Sequence, residues 1–228
     1  RIPTKNGEVT VTGSIDRVDL YTAADGRRYV RVIDYKTGRK KFHLRDVLWG
    51  LNMQMLVYLA ALVEEGDALP AGVLYMPSVE PTVSAGREES DEDIQKAAEA
   101  ELKMNGLVLS DQEVAQAMEA GIRGRFIPAE LKKDGGFTAS SSVVTSGELA
   151  TVLNYSKRLI ATMAEELAAG RVQAVPSRKN QEPCSYCPYG AVCGREYGPK
   201  DVERDSTKDG EALIRMERAL EKGENPNG

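Results

Sequence analysis

The 228-residue sequence has a single histidine, only three cysteines and no run of about 18 apolar residues. Without such a run, no segment is long enough to cross a bilayer as a helix. The first residues, RIPTKNGEVTV, also lack the apolar stretch of a signal peptide, so we expect a cytoplasmic protein with no membrane association. One histidine, His43, leaves little room for histidine-based catalysis or a histidine-rich zinc site.

Positive charge is also in short supply. The net charge is −5, with 30 Lys and Arg against 35 Asp and Glu, which argues against a nucleic-acid-binding protein. The charges are unevenly distributed, however, since residues 27–45 hold eight basic residues against one aspartate. Residues 80–101 hold eight acidic residues against two basic ones. A local basic segment is therefore available for phosphate contacts although the average is acidic.

The first 80 residues carry the pattern of an α/β domain. Alternation and turn residues predict three strands in an antiparallel meander. They cover residues 8–12, 14–21 and 28–36. Apolar residues at spacings of three and four predict one continuous helix over 44–65, ended by Gly66. The run AGVLYMPSV after Pro70 predicts a buried strand, so the order is β-β-β-α-β.

Beyond residue 80 we distinguish three further segments. Residues 81–145 predict a helical and loop insertion. Residues 146–197 hold the longest predicted helix followed by a cysteine-rich loop, and residues 198–228 form a charged tail with one helix near 208–222. N-capping residues predict three helix starts, at Ser90, at a capping box of Ser110 with Glu113, and at a second box of Thr145 with Glu148.

The two longer strands of the meander place acidic residues opposite each other. A turn centred on Asp25 pairs residues whose numbers sum to 50, so Asp16 faces Asp34. Facing like charges destabilise a sheet unless something lies between them. Asp34 and Lys36 share one face of their strand. A carboxylate pair suits Mg²⁺ or Mn²⁺, and the lysine supplies a positive charge for a phosphoryl oxyanion or an attacking water.

Three motifs at this site resemble those of a known family. GSIDRVD at 13–19, VIDYKTG at 32–38 and QMLVY at 54–58 are similar to the GxxD, DYK[ST] and QxxxY motifs of the RecB-like branch of the PD-(D/E)XK nuclease superfamily. The resemblance implies a restriction-endonuclease-like core with a mixed sheet. It also implies that Asp16, Asp34 and the main-chain carbonyl of Tyr35 bind the metal ion, that Lys36 is catalytic, and that Gln54 and Tyr58 belong to the catalytic site.

Later stretches extend the resemblance to about residue 197. KMNGLVL, KKDGG and CSYCPYGAVC are similar to the C-terminal nuclease domain of the AddB family, which belongs to bacterial ATP-dependent helicase/deoxyribonucleases. The resemblance implies an exonuclease that uses Mg²⁺ or Mn²⁺ and hydrolyses a single DNA strand delivered by a helicase motor. The parent complex, with AddA as partner, would resect double-strand breaks for homologous recombination.

The cysteine pattern is C-x2-C-x5-C, which offers three thiolates where zinc or an iron–sulfur cluster takes four ligands. The AddB resemblance implies a 4Fe–4S cluster held by Cys184, Cys187, Cys193 and one cysteine far upstream, so the cluster would be absent or incomplete in this chain. A zinc site completed by His43 or by a partner is the alternative. The resemblance also implies a first core helix with an acidic or histidine ligand, which the residues before Asn6 cannot form.

Basic residues follow the DYKTG motif directly, and Arg39, Lys40 and Lys41 are candidates for contacts with DNA phosphates. Two other functions stay open. One is a non-catalytic DNA-binding or scaffold module in which Asp16 and Asp34 are remnants. The other is a stand-alone RecB-like exonuclease of the CRISPR-associated type.

Overall fold

A computed structural model describes residues 1–38, 40–83, 86, 88–173, 177–178, 184–193, 202–203 and 207–223. The strands are β1 Ile2–Thr4, β2 Gly7–Val9, β3 Arg17–Thr22, β4 Arg28–Lys36, β5 Leu69–Pro77, β6 Asn105–Leu109, β7 Val143–Val144, β8 Ser177–Arg178 and β9 Val202–Glu203. The helices are α1 Leu44–Val47, α2 Gln54–Glu65, α3 Asp91–Glu101, α4 Gln112–Met118, α5 Ser146–Ala168 and α6 Asp209–Lys222, and Cys184–Tyr186 form one 3-10 turn. The expected α/β class is confirmed.

The centre of the fold is a five-stranded mixed sheet in the order β3-β4-β5-β6-β7. Strand β4 pairs antiparallel with β3 and parallel with β5, while β6 is antiparallel to β5 and parallel to β7. The connection between β4 and β5 runs through α1 and α2, as a parallel pair requires. Two of these strands, β6 and β7, come from residues 81–145, so that segment contributes to the sheet as well as supplying helices and loops.

The prediction of a three-stranded meander is wrong in its first strand. Residues 7–9 pair with the unpredicted strand β1 in a separate two-stranded sheet, and do not join β3. This hairpin is joined to α5 by the backbone N–H of Lys5, which donates to Glu165 Oε1 at 2.8 Å. An alternating pattern shows that a strand forms, but it does not say which sheet the strand joins.

The continuous helix predicted over 44–65 is interrupted. Gly50 and Asn52 have positive φ values of 73° and 57°, and the helix resumes only at Gln54. A Cβ atom on Gly50 would lie 2.7 Å from Met163 Cε, so a side chain at this position would collide with α5. Leu51, which the periodicity assigns to the buried face, is instead 40% exposed. The apolar spacing continues across the break because both helices pack on the same core.

Capping residues set the starts of the later helices. Ser90 caps α3 by accepting a hydrogen bond from the Asp93 backbone N–H, and Thr145 with Glu148 forms the predicted capping box of α5. The box predicted at Ser110 and Glu113 does not form. Asp111 caps α4 instead, because the Glu113 carboxylate accepts hydrogen bonds from the Tyr21 hydroxyl and the Ala24 backbone N–H.

The sheet is covered by apolar side chains on both faces. Helices α2 and α5 contribute to a large cluster with Val30 and Val32 on one face of β4. Ile33, Leu74 and Val108 form a smaller cluster with α4 on the other face. The helix expected near 208–222 is α6, which contributes buried residues to the larger cluster. None of the described helices is both long and apolar enough to cross a membrane.

Candidate active site

The β3–β4 hairpin has the register expected from its turn. The backbone N–H of Ala23 donates to Arg27 O at 2.8 Å, and the strands pair as Arg17 with Ile33 and Val18 with Val32. Each pair sums to 50, which confirms the predicted register. Asp16 lies one residue before β3 begins and is next in line to face Asp34 on β4.

The two carboxylates have different surroundings. Asp16 is exposed, and its Oδ2 accepts a hydrogen bond from the Tyr35 backbone N–H at 2.9 Å, which ties the segment before β3 to β4. Asp34 is only 6% exposed, and its buried Oδ2 accepts no hydrogen bond from any described residue. A buried carboxylate oxygen without a donor is costly unless a positive charge lies beside it.

Lys36 provides that positive charge. It lies two residues after Asp34 on β4, and its Nζ forms an ion pair with Asp34 Oδ2 without the geometry of a hydrogen bond. The same Nζ lies 5.6 Å from the centre of the Tyr75 ring, a cation–π distance. The predicted residues Asp16, Asp34 and Lys36 are therefore gathered at one end of the β3–β4 pair.

Tyr75 is a member of this site that the sequence did not indicate. It pairs with Asp34 across the parallel strands β4 and β5, it is 2% exposed, and its hydroxyl has no hydrogen-bond partner among the described residues. Burial, and then the charge of Asp34, raise the pKa of Tyr75 to about 12, so its hydroxyl stays protonated at neutral pH. Lys40 Nζ lies 5.0 Å from the centre of the same ring.

The GxxD and QxxxY motifs meet at Gly13. A Cβ atom on Gly13 would lie 2.3 Å from the Tyr58 hydroxyl oxygen, so only glycine leaves room for the tyrosine. Gln54 Nε2 donates to the same hydroxyl at 3.4 Å, which orients Tyr58 from the first turn of α2. Among the described residues, neither side chain forms a hydrogen bond or ion pair with Asp34 or Lys36. A direct catalytic role for Gln54 and Tyr58 stays a prediction.

Tyr35 contributes its backbone to this arrangement. Its N–H holds Asp16, while its side chain is 42% exposed. Alternation along β4 directs that side chain to the face opposite Asp34 and Lys36. The role of the Tyr35 carbonyl as a metal ligand is a prediction that the described contacts do not test.

The basic segment 27–45 does not form one surface around the site. Arg27 pairs with Asp25 in the hairpin turn, Arg31 pairs with Asp19, and Arg45 lies 3.9 Å from Asp209. The turn is eight residues along β4 from Lys36, a distance on the order of 26 Å in an extended strand. Linear charge density is therefore a poor guide here, because a strand separates its two ends.

Of the three predicted DNA contacts, Arg39 lies outside the described residues. Lys40 and Lys41 are exposed and border the site. Burial of its stem, and then the neighbouring charge of Lys36, lower the pKa of Lys40. The surface beside the active lysine is therefore positive, although fewer residues contribute to it than the sequence suggests.

The cysteines lie in a separate loop. Cys184 is half-buried, Cys187 and Cys193 are exposed, and all three are free thiols. Within the described ranges, no group of three or more His, Cys, Asp or Glu side chains is gathered as a metal-binding cluster. His43 instead lies at the start of α1, with Nδ1 4.0 Å from Asp209 Oδ2. The described structure thus gives no support to a zinc site completed by His43.

Two further residues border the site from the second half of the chain. Lys103 and Asn105 lie at the end of α3 and the start of β6, and both line a cavity that begins at Lys36. Their only sequence signal was the KMNGLVL stretch, which carried resemblance but no chemistry. The largest described cavity, about 550 Å³, lies near the opposite end of β4 beside Tyr29 and lacks the aspartate pair.

Comparisons with known proteins agree with this geometry. A profile of the PD-(D/E)XK nuclease superfamily matches residues 2–194. The second (B) component of the ATP-dependent helicase/deoxyribonuclease from Thermoanaerobacter sp. (strain X514) is 37% identical over 202 residues, covering 85% of this chain and 18% of that protein. The component of the same name from Clostridium botulinum is 39% identical over 199 residues, covering 82% and 17%. The chain spans less than a fifth of the length of these relatives.

Proposed function

Because the chain belongs to the PD-(D/E)XK nuclease superfamily, we propose that it is a metal-dependent deoxyribonuclease acting on single-stranded DNA. The observation that carries this proposal is the buried Asp34 Oδ2, which lacks a hydrogen-bond donor, faces the Asp16 segment and contacts Lys36 Nζ. A site that serves only stability would supply donors to such an oxygen. Here the oxygen is left to interact with cations.

The donor set fits a hard divalent cation. Asp16, Asp34 and the main-chain carbonyl of Tyr35 offer only oxygen atoms, which are the ligands that Mg²⁺ and Mn²⁺ prefer. When bound, the ion supplies Lewis acidity at a phosphodiester and lowers the pKa of a coordinated water. The exposure of Asp16 leaves this edge of the site open to solvent and substrate.

Lys36 acts on the phosphodiester itself. Its ammonium group, held between Asp34 and the Tyr75 ring, stabilises the negative charge that develops on the phosphoryl oxygens as the water oxygen attacks phosphorus. The bond from phosphorus to the leaving ester oxygen breaks, and that oxygen takes up a proton. Tyr58, oriented by Gln54 against Gly13, positions the segment that carries Asp16.

A cleavage assay tests the proposal. The chain is incubated with end-labelled single-stranded DNA and Mg²⁺ or Mn²⁺, and wild type is compared with Asp34→Asn and Lys36→Gln. We expect each substitution to lower the rate by about 10³-fold or more, which is ~4 kcal/mol of transition-state stabilisation. Asp67→Asn, an exposed carboxylate in the loop after α2, is the matched control and should cleave as wild type does.

Equal cleavage by wild type and Asp34→Asn would refute the proposal. DNA binding without cleavage, together with no calorimetric Mn²⁺ binding, would favour the non-catalytic DNA-binding or scaffold module. Distributive release of single nucleotides from DNA ends is expected for an exonuclease, whereas cleavage of circular single strands would contradict that assignment.

The relatives' name suggests the assembly in which this domain works. We propose that the chain is the nuclease portion of the AddB component of a cytoplasmic helicase–nuclease, with AddA as partner, which resects double-strand breaks for homologous recombination. In that setting the strand reaches Asp34 already unwound. Reconstitution of full-length AddB with AddA on linear duplex DNA tests this, and ATP-dependent degradation that survives Asp34→Asn in AddB without any change in products would contradict it.

We also propose that Cys184, Cys187 and Cys193 supply three of the four ligands of a 4Fe–4S cluster in the longer protein. All three come from one loop, so a fourth ligand has to come from elsewhere in the protein. Anaerobic iron and sulfide reconstitution should give a stable cluster in the full-length protein and little bound iron in Cys187→Ser. Equal iron content in both proteins would contradict the assignment.

A further inference from the structure

A cleft of about 390 Å³ runs from Lys36 along the β4–β5–β6 end of the sheet. Its walls come from four separate parts of the chain: the β4–α1 loop, the end of β5, the turn between α3 and β6, and the loop before β7. We call it the lysine cleft, after the lysines that line it. They are Lys36, Lys40, Lys41 and Lys103.

The charge of the lysine cleft is strongly positive. Among its described lining residues, Glu101 is the only carboxylate, set against the four lysines. Within the described part of the chain, Lys40, Lys41 and Lys103 form no ion pair. Unpaired ammonium groups concentrated in one cleft repel one another and gain stability from an anion. This arrangement therefore favours a multiply charged anionic ligand.

The cleft is held in shape by contacts that leave its polar groups available. Asn105 Oδ1 accepts a hydrogen bond from the Phe42 backbone N–H, which fixes the loop carrying Lys40 and Lys41 to β6. On the opposite wall, the Ser142 backbone N–H donates to Pro128 O at 2.7 Å. The Ser142 hydroxyl makes no hydrogen bond within the described residues, and it lines the cleft. Lysine and serine donors thus face the same space from walls that are themselves fixed.

We propose that the lysine cleft binds the phosphates of a single DNA strand next to the scissile phosphodiester, with Lys103 and Ser142 on one wall and Lys40 and Lys41 on the other. The cleft begins at Lys36, so a chain of phosphates that fills it also passes the catalytic lysine. Lysine ammonium groups bind phosphates as point charges without reading bases. This inference rests on the proposed nuclease function and adds the path of the substrate strand.

Binding measured without cleavage tests the inference. Fluorescence anisotropy of a labelled oligothymidylate in EDTA gives the affinity, and repetition over a range of salt gives the slope of log K against log salt. Lys103→Gln should weaken binding by about fivefold and reduce the slope by about 0.7, the loss of one phosphate contact. Lys103→Arg should restore both values. Lys133→Gln removes an exposed lysine outside the cleft and should match wild type.

The inference is overturned if Lys103→Gln and Lys133→Gln have the same affinity and the same slope. It is also overturned if poly-glutamate binding depends on Lys103 while DNA binding does not, because the cleft would then receive an acidic polypeptide. The two proposals fail separately. Wild-type cleavage that requires Asp34, with binding insensitive to Lys103, refutes only the cleft, whereas binding that depends on Lys103 without cleavage refutes only the nuclease.

Discussion

Two buried carboxylates of this protein are equally hidden from solvent and differently served by it. Glu119 is 7% exposed and Asp34 is 6% exposed. Glu119 Oε1 accepts the backbone N–H groups of Arg123 and Arg125 at 2.9 and 3.1 Å. Its Oε2 accepts a further two, from residues 126 and 127, at 2.7 and 3.0 Å. Asp34 Oδ2 accepts none from the described residues and contacts the Lys36 ammonium.

The difference separates a structural carboxylate from a reactive one. Burial alone disfavours the charged form of Glu119, yet its four backbone hydrogen bonds outweigh burial and lower the pKa of this carboxyl. The loop after α4 is therefore built around a permanent negative charge. Asp34 has no such donors, so its charge is available to a cation. Burial identifies neither role, whereas the count of donors distinguishes them.

The largest effect on stability is expected at Glu119. Glu119→Gln replaces one oxygen by an amide group that faces two backbone N–H donors, so the free energy of unfolding should fall by about 3 kcal/mol. Urea denaturation followed by circular dichroism measures it. Glu130→Gln, an exposed carboxylate in the same loop, is the control and should change stability by less than ~0.5 kcal/mol. A loss at Glu119 no larger than the control's would contradict the structural role.

The pH dependence of that loss should follow the sign of the pKa shift. Because the pKa of Glu119 is lower in the folded protein than its ordinary value of 4.5, its contribution is fully present above pH 4.5. The contribution is lost as the pH falls through the lowered folded value. The difference in unfolding free energy between wild type and Glu119→Gln should therefore shrink below pH 4.5. A difference that grows on acidification would show that the shift has the opposite sign.

A smaller effect is expected where the two motifs meet. Gly13→Ala forces its new methyl group against Tyr58, so we expect a loss of about 1–2 kcal/mol in unfolding free energy and slower DNA cleavage. The stability loss should disappear in a Tyr58→Ala background, as a double-mutant cycle can measure. Gly38→Ala is the matched control, because an added Cβ there meets nothing within 4 Å. Equal costs for the two glycines would rule out the contact with Tyr58.

The smallest effect on stability is expected at Asp34, although cleavage should be lost. Asp34→Asn removes a buried charge that has no hydrogen-bond donor, while Lys36 keeps its contact with the Tyr75 ring. The free energy of unfolding should change by less than ~0.5 kcal/mol, in either direction. Destabilisation above ~2 kcal/mol, measured by the same urea assay, would place Asp34 in the same structural class as Glu119.

Sequence reasoning succeeded where contacts are local. The turn at Asp25 and the alternation of β3 and β4 predicted the pairing of Arg17 with Ile33, and with it the neighbourhood of Asp34 and Lys36. It failed where local pattern and tertiary packing disagree. The helix over 44–65 breaks because Gly50 must pass close to α5, and the cap of α4 moves to Asp111 because Glu113 binds the hairpin turn.

The sequence by itself determined the reactive set, since a hairpin register and a two-residue strand spacing depend on neighbours only a few residues away. Only the tertiary structure decided what surrounds that set. Tyr75 reaches Asp34 through a parallel crossover, and Lys103 and Asn105 reach Lys36 through the next strand of the sheet. Such placements depend on which strands pair and which faces pack, and these choices are set by the burial of the whole core rather than by any local pattern.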